Sequence, residues 1–271
     1  MEPLPTVAVC YHLEPSAFAR RLQEMARSHG REARGVVVDN RGRAAAMPDG
    51  LVLLRGSNEH LDFSGYFEGL NWLLERDPQT VSGNVLFAND SLFTGHAGRS
   101  IGSRVIGLSS LLDQLRSPAI GGKLDPYRAI CLRNPWSGHG GYVSSFCFLL
   151  NAQALPTMRR LIDDAGTDGV LVDRPIEDDA WGQGMPALLR EYIRAHLVYS
   201  DSPYLWPLAS SGNVELRRKK ARCVYFENRL SGAIGSHGAL VPINAGPRAR
   251  TGIYLHESLA RVGRALGVPG R

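Results

Sequence analysis

Apolar positions switch between two periods along the first two thirds of the chain, and the switching predicts strands separated by helices. A short β-rich run at Thr6–Cys10 comes first. Phe18, Leu22, Met25 and Ala26 follow at helical spacing and stop at Gly30. Gly35–Val38 reads as a second strand closed by Asp39-Asn40 and Gly42, and Leu51–Leu54 reads as a third. Tyr66, Phe67, Leu70, Leu73 and Leu74 make a helical stripe that ends near Asp77-Pro78, because a residue before proline disfavours the helical conformation. Val85–Ala88 is a fourth strand, and Val105, Leu108, Leu111, Leu112 and Leu115 form one further helix stopped before Pro118.

Arg128–Leu132 and Val143–Leu150 have the look of two more strands. The loop between them, Arg133 to Gly141, is almost devoid of apolar residues except Trp136. Helical patterns follow at about 153–164 and 186–196. After about Ser200 the chain is rich in Gly, Pro and Arg. There the pattern supports one strand at Cys223–Phe226 and one helix at about 256–266, with Gly235-Ser236-His237-Gly238 as a flexible loop. Strands alternating with helices of this size mean βαβ units, a mostly parallel sheet and an α/β fold.

Composition narrows the classes. Hydrophobic content of 44% and charged content of 21% are ordinary for a globular chain, so a sizeable core is expected. No apolar run approaches the roughly 20 residues that span a bilayer. The start, Met1 to Thr6, has neither a basic region nor an apolar signal core, so a cytoplasmic location is expected. Cys10, Cys131, Cys147 and Cys223 are scattered without metal-type spacing, which predicts buried free thiols.

Charge is uneven. Residues 213–271 hold 11 Lys+Arg against 3 Asp+Glu, a surplus of +8, while the rest of the chain sums to −3. The surplus centres on Arg217-Arg218-Lys219-Lys220-Ala221-Arg222, which would attract phosphate, anionic lipid or nucleic acid, or simply form a solvated helix face.

The richest chemistry is at residues 84–91, where a buried-strand pattern runs into Asn89-Asp90-Ser91. In open α/β sheets ligands bind outside the carboxyl ends of the strands. Asp90 is thus placed where a hard cation such as Mg²⁺ or Mn²⁺ and a substrate phosphate could meet. The ordinary alternative is an Asp in a polar turn.

The order of segments carries a resemblance. Val7 to His12 is followed by Val36-Val37-Val38-Asp39-Asn40, then Gly56-Ser57-Asn58-Glu59, then Gly65-Tyr66-Phe67-Glu68-Gly69-Leu70-Asn71, then Leu86-Phe87-Ala88-Asn89-Asp90-Ser91. This series resembles the nucleotide-binding half of GT-A glycosyltransferases, above all the bacterial polysaccharide and rhamnan-synthesis type. It covers residues 5–150 well and 150–200 loosely. The resemblance implies a GT-A-like three-layer α/β/α sandwich with a mostly parallel central sheet. One domain would span 1–271, with a nucleotide-sugar-binding half at 1–125, an acceptor and catalytic half at 126–200 and a basic segment at 201–271. It implies a hexosyl- or deoxyhexosyl-transferase of polysaccharide biosynthesis. The enzyme would move sugar from a nucleoside diphosphate sugar to a glycan, lipid-linked or small-molecule acceptor, with inversion. Many members carry two acids in the metal motif where this chain has only Asp90.

The same resemblance suggests residue roles. Tyr11, Asp39, Asn58, Asn71 and Asn89 would contact the nucleotide, although Asp39 also fits a turn before Gly42 and Asn58 and Asn71 also fit helix caps. Asp90, with His237 from the C-terminal segment, would hold Mn²⁺ or Mg²⁺. Gly65 and Gly69 would let their helix pack close to the sheet. In Ile176-Glu177-Asp178-Asp179-Ala180-Trp181-Gly182, adjacent carboxylates repel and should have raised pKa values if partly buried. Asp178, then Asp179, is the expected base for the acceptor hydroxyl, with a helix N-terminus after Pro175 as the competing reading. Trp136, Trp181 and His139 are candidates for acceptor contact.

Two rival classes stay open. One is another nucleotide-dependent α/β transferase, though the first strand is not followed by G-x-G-x-x-G. The other is a non-catalytic scaffold or a nucleic-acid-binding module using the basic run. No aromatic platform interleaves with that run, so nucleic acid ranks low, while peripheral contact with the inner membrane face remains an option.

Overall fold

The computed structural model describes residues 1–76, 83–95, 98–127, 133–200, 202, 205–206 and 212–244. The chain runs β1 (Glu2–Cys10), α1 (Pro15–Arg27), β2 (Arg31–Asp39), β3 (Leu51–Arg55), α2 (Asp62–Arg76), β4 (Val85–Asn89), α3 (Ser91–Thr94), α4 (Gly98–Ile106), α5 (Ser109–Gln114), β5 (Ala119–Pro126), β6 (Gly141–Leu150), α6 (Leu155–Thr167), α7 (Ala187–Leu197), α8 (Val214–His237) and β7 (Ala239–Pro242). The seven strands lie in the order β3-β2-β1-β4-β6-β5-β7. All neighbours pair parallel except β6, which is antiparallel to both β4 and β5.

Alternate side chains of each strand feed two cores, as the period of a strand demands. Val7, Val9, Val36, Val38, Phe87 and Phe148 face α2, α6, α7 and α8. Ala8, Cys10, Val37, Leu86, Ala88 and Leu149 face α1, α4 and α5. The sheet is therefore sandwiched between helical layers. Gly65 and Gly69 let α2 lie close on the sheet, since a Cβ there would sit 2.6 Å from Val9 and 2.5 Å from Val7.

Several expected elements change. Cys223–Phe226 is no strand but the middle of α8, a 24-residue helix begun by Asn213, whose side chain accepts the Leu216 N–H at 2.9 Å. His237 is the last residue of that helix and not part of a loop. The stripe Val105–Leu115 breaks at Gly107-Leu108 into α4 and α5. The acidic stretch 177–179 starts no helix. It lies in successive turns, with the Asp178 N–H donating to Pro175 O and the Asp178 carboxylate accepting the Ala180 N–H, a local bond that competes with helix formation. β5 was not expected: its Gly121-Gly122 pair carries no strand signal, and it is held by pairing with β6 and β7. Arg128–Leu132 and the 256–266 helix lie outside the described residues. Cys10, Cys147 and Cys223 are buried free thiols, as expected, and Cys131 is likewise outside them.

Candidate functional site

The carboxyl ends of β1, β2 and β4 converge, and two elements from elsewhere in the chain close on them. Tyr11 follows β1, Asn40 follows β2 and Asn89 ends β4. Asp62 opens α2, and Lys220, Cys223 and Glu227 lie on successive turns of one face of α8. The ionisable members, Tyr11, Asp62, Lys220 and Glu227, are all partly exposed, while Asn89, Cys223 and Ser145 behind them are buried. They stand at the edge of the core, half-buried.

The electrostatics of this group set it apart. Burial pushes the Asp62 carboxyl up to about 6, against the pull of Lys220 and of the polar Asn89 and Tyr11 side chains beside it, with Asp90 adding to the rise. Burial likewise pushes Glu227 up to about 7, opposed by Lys220 and by hydrogen bonds from Ser145. The backbone N–H of Ser145 reaches Glu227 Oε1 at 2.6 Å. Burial works against the Lys220 ammonium, yet Cys223, Glu227 and Asp62 around it outweigh that and raise its pKa. Its Nζ also sits 5.6 Å from the centre of the Trp206 ring. Two acids that titrate near neutrality, with a cation acting on both, are equipped for proton transfer. Asn40 braces the entry to α2. Its Nδ2 donates to Leu61 O at 3.3 Å and to Asn58 Oδ1 at 3.5 Å, and both Leu61 and Asn58 hold positive φ.

The expected site residues fall into distinct places. Tyr11 and Asn89 belong to the group. Asp90 adjoins it, but one carboxylate oxygen, Oδ2, accepts the backbone N–H groups of Tyr11, His12 and Leu13 at 2.9, 2.5 and 2.7 Å. Asp39 is at the end of β2, fully buried, and is engaged by Arg43 at 2.6 Å. Burial alone would raise its pKa; hydrogen bonds and charge from Arg43 lower it instead. Asn58 sits in the braced turn and caps no helix. Asn71 is exposed in the body of α2, nine residues beyond Asp62 and hence about 13 Å along the helix.

His237 is exposed and not joined to Asp90. It precedes β7, whose Ala239 pairs with Ala119 at the amino end of β5, whereas Asp90 follows the carboxyl end of β4. Asp178 and Asp179 lie apart from the group as well. The Asp178 pKa is lowered, by the Ala180 N–H and then by Arg174 at 3.1 Å, so the expected rise does not occur. The Asp179 side chain is 98% exposed and faces Arg194 at 3.4 Å. Trp181 is wholly buried in the core, which removes it as a stacking surface, and Trp136 packs on α8 under Arg229 at 4.9 Å. His139 leans on the carbonyl of Gly235 at 3.2 Å.

The basic run is largely paired at the surface. Arg217 pairs with Glu177 at 3.2 Å, Arg218 with Asp173, Lys219 with Glu215 at 3.9 Å, and Arg222 donates to Leu171 O at 3.3 Å. The arginine bonds tie α8 to the 171–177 segment, while the Lys219 pair stays within the helix. Asp62 and Glu227 were missed in the sequence: the first stands only as an acid at a helix start, and the second was hidden by reading its neighbours as a strand.

The donor set does not fit a divalent cation. Among the described residues no group of three or more His, Cys, Asp or Glu side chains is placed to hold one. Asp90 offers only its buried Oδ1. No helix is long and apolar enough to cross a membrane among the described residues. Comparison with family models, with curated proteins and with solved structures gives no match.

Proposed function

We propose that the chain is a glycosyltransferase that takes a nucleoside diphosphate sugar over the carboxyl ends of β1, β2 and β4. The observation that carries this reading is the Asp62–Lys220–Glu227 group at those ends. The mostly parallel sheet between helical layers supports the reading at the level of an α/β sandwich. Open α/β sheets take their ligands outside the carboxyl ends of their strands.

In this reading Glu227, in place of Asp178, accepts the proton of the acceptor hydroxyl. The freed oxygen forms a bond to the anomeric carbon as the bond from that carbon to the diphosphate breaks. The nucleoside diphosphate leaves with the electron pair, and the Lys220 ammonium offsets the charge that develops there. A single displacement of this kind inverts the anomeric centre. The pKa of about 7 suits Glu227 to the task, because a base titrating near the working pH is both available and strong enough. Asp62, Tyr11 and Asn89 would meet the ribose or sugar hydroxyls, and the acceptor would be a glycan, a lipid-linked glycan or a small molecule.

A thermal-shift panel of nucleoside diphosphate sugars is the direct test, since a ligand that binds only the folded chain raises its melting temperature. One donor should stabilise the wild type and lose that effect in Lys220→Met. No stabilisation by any donor, together with no hydrolysis or transfer, would remove the reading.

A further inference from the structure

We infer that Asp90 is a fixed internal anion: its carboxylate fills a backbone nest built by Tyr11, His12 and Leu13 and thereby places Tyr11 against Asp62, and it serves no divalent cation. That it places a catalytic crevice rests on the proposed function; that it fills the nest does not.

The geometry is that of an anion site already occupied. Three consecutive N–H groups converge on one oxygen, at 2.9, 2.5 and 2.7 Å, and the Cys10 thiol approaches the same oxygen at 3.5 Å. Successive backbone N–H groups arranged in this way form a concavity of partial positive charge that ordinarily receives an external anion. Here the chain supplies the anion from β4, 77 to 79 residues further along. Burying an ionised carboxylate is costly unless it is hydrogen-bonded, and the three donors gathered on Oδ2 offset that cost.

The same bonds leave little for a metal. Oδ2 has more N–H donors than in-plane lone pairs. Oδ1 is buried and has no partner, and the residue as a whole is 0% exposed. Mg²⁺ and Mn²⁺ sites built on one or two carboxylates keep several waters, which need access that a fully enclosed side chain denies. What the nest does govern is the turn between β1 and α1. That turn carries Tyr11, whose hydroxyl lies beside the Asp62 carboxyl.

The test uses the full chain with Asp90→Gly, which removes the carboxylate and leaves its space. Melting temperature should fall on the order of 10 °C. Sodium formate should restore at least half of that loss saturably, where sodium chloride at equal ionic strength does not. The Asp62 carboxyl titration, followed by carbon NMR, should move away from about 6 in the variant and return with formate. A rescue by formate no larger than that by chloride, or an Asp62 midpoint unmoved throughout, overturns the inference.

Wild-type protein gives a second readout if the variant does not fold. With Mn²⁺ added, alone and with a panel of nucleoside diphosphates, the amide signals of Tyr11, His12 and Leu13 should show no saturable paramagnetic broadening. Broadening at stoichiometric Mn²⁺ would make Asp90 a metal ligand and end the proposal. The formate and Mn²⁺-alone readouts involve no nucleotide, so failure of the glycosyl-transfer reading leaves them intact.

Discussion

Glu227 of α8 is pinned to the central strand β6 by the backbone N–H of Ser145, 2.6 Å from its Oε1. The bond fixes one carboxylate oxygen, and Lys220 acts on the carboxylate by its charge. A carboxylate held this way cannot swing out to water, which is how burial keeps its pKa near 7 despite an ammonium close by.

Replacing that carboxylate isolates its role. Glu227→Gln keeps the size of the side chain and an oxygen to accept the Ser145 N–H. Turnover should fall on the order of 10²–10⁴-fold with donor affinity retained. Asp178→Asn and Asp179→Asn should stay within a few-fold of wild type. Steady-state kinetics with calorimetric donor binding compares the three, and a large loss confined to Asp178→Asn would return the base to the acidic stretch.

Stability should carry the mark of the same acids, with a definite sign. The Glu227 pKa rises from the ordinary 4.5 to about 7 on folding, so the folded chain holds its proton more tightly. Between those values the unfolded state has released the proton first, and stability falls as pH rises. Asp62, raised from 3.8 to about 6, acts in the same direction over a lower window. Glu227→Gln should therefore match wild-type stability near pH 4 and exceed it increasingly up to pH 7, beyond which the gap levels off. Urea melts across that range measure it; a gap that shrinks with rising pH contradicts the assignment.

The cations of α8 should separate into two kinds. Arg217→Ala and Arg218→Ala remove pairs at the surface and should cost no more than about 1 kcal/mol each. Neither should change donor affinity or association with anionic vesicles. Lys220→Met should weaken donor binding by tenfold or more. Vesicle co-sedimentation beside donor titration tells them apart, and equal effects of the three variants would restore a general anion-binding surface.

Trp181 should behave as core. It is 0% exposed and packs in the cluster that includes Ile176, Met185 and Leu189. Trp181→Ala should cost about 3–5 kcal/mol in denaturant unfolding. Saturating donor should add the same increment to variant and wild type, whereas an acceptor-stacking role would show as a raised acceptor KM at unchanged stability.

Much of the first half of the fold was legible because buried parallel strands read as apolar runs that end in polar turns. Val7–Cys10, Val36–Val38 and Val85–Ala88 announce both their strands and the ends where Tyr11, Asn40 and Asn89 stand. β5 was not legible, since Gly121-Gly122 and Lys123 give neither alternation nor β-branching. α8 was obscured by its polar, cation-rich first turns, although Asn213 with Glu215 after it is an N-terminal signal. Without that helix, Lys220 counted only as charge and Glu227 not at all. Asp90 was legible as a special position but not as a closed one, because nothing in the sequence tells that the turn 79 residues earlier offers it three N–H groups.

The group is built from both ends of the described chain: Tyr11 comes from the turn after the first strand, while Lys220 and Glu227 come from the last helix before β7. During synthesis the amino-terminal part emerges and begins to fold first. β1 to β4 can pair while the ribosome still holds α8, yet the acids and the lysine cannot meet until residues beyond 227 have left the exit tunnel. The Asp62–Lys220–Glu227 group is therefore assembled last, and a nascent or truncated chain with an intact first half is strand-paired but lacks it.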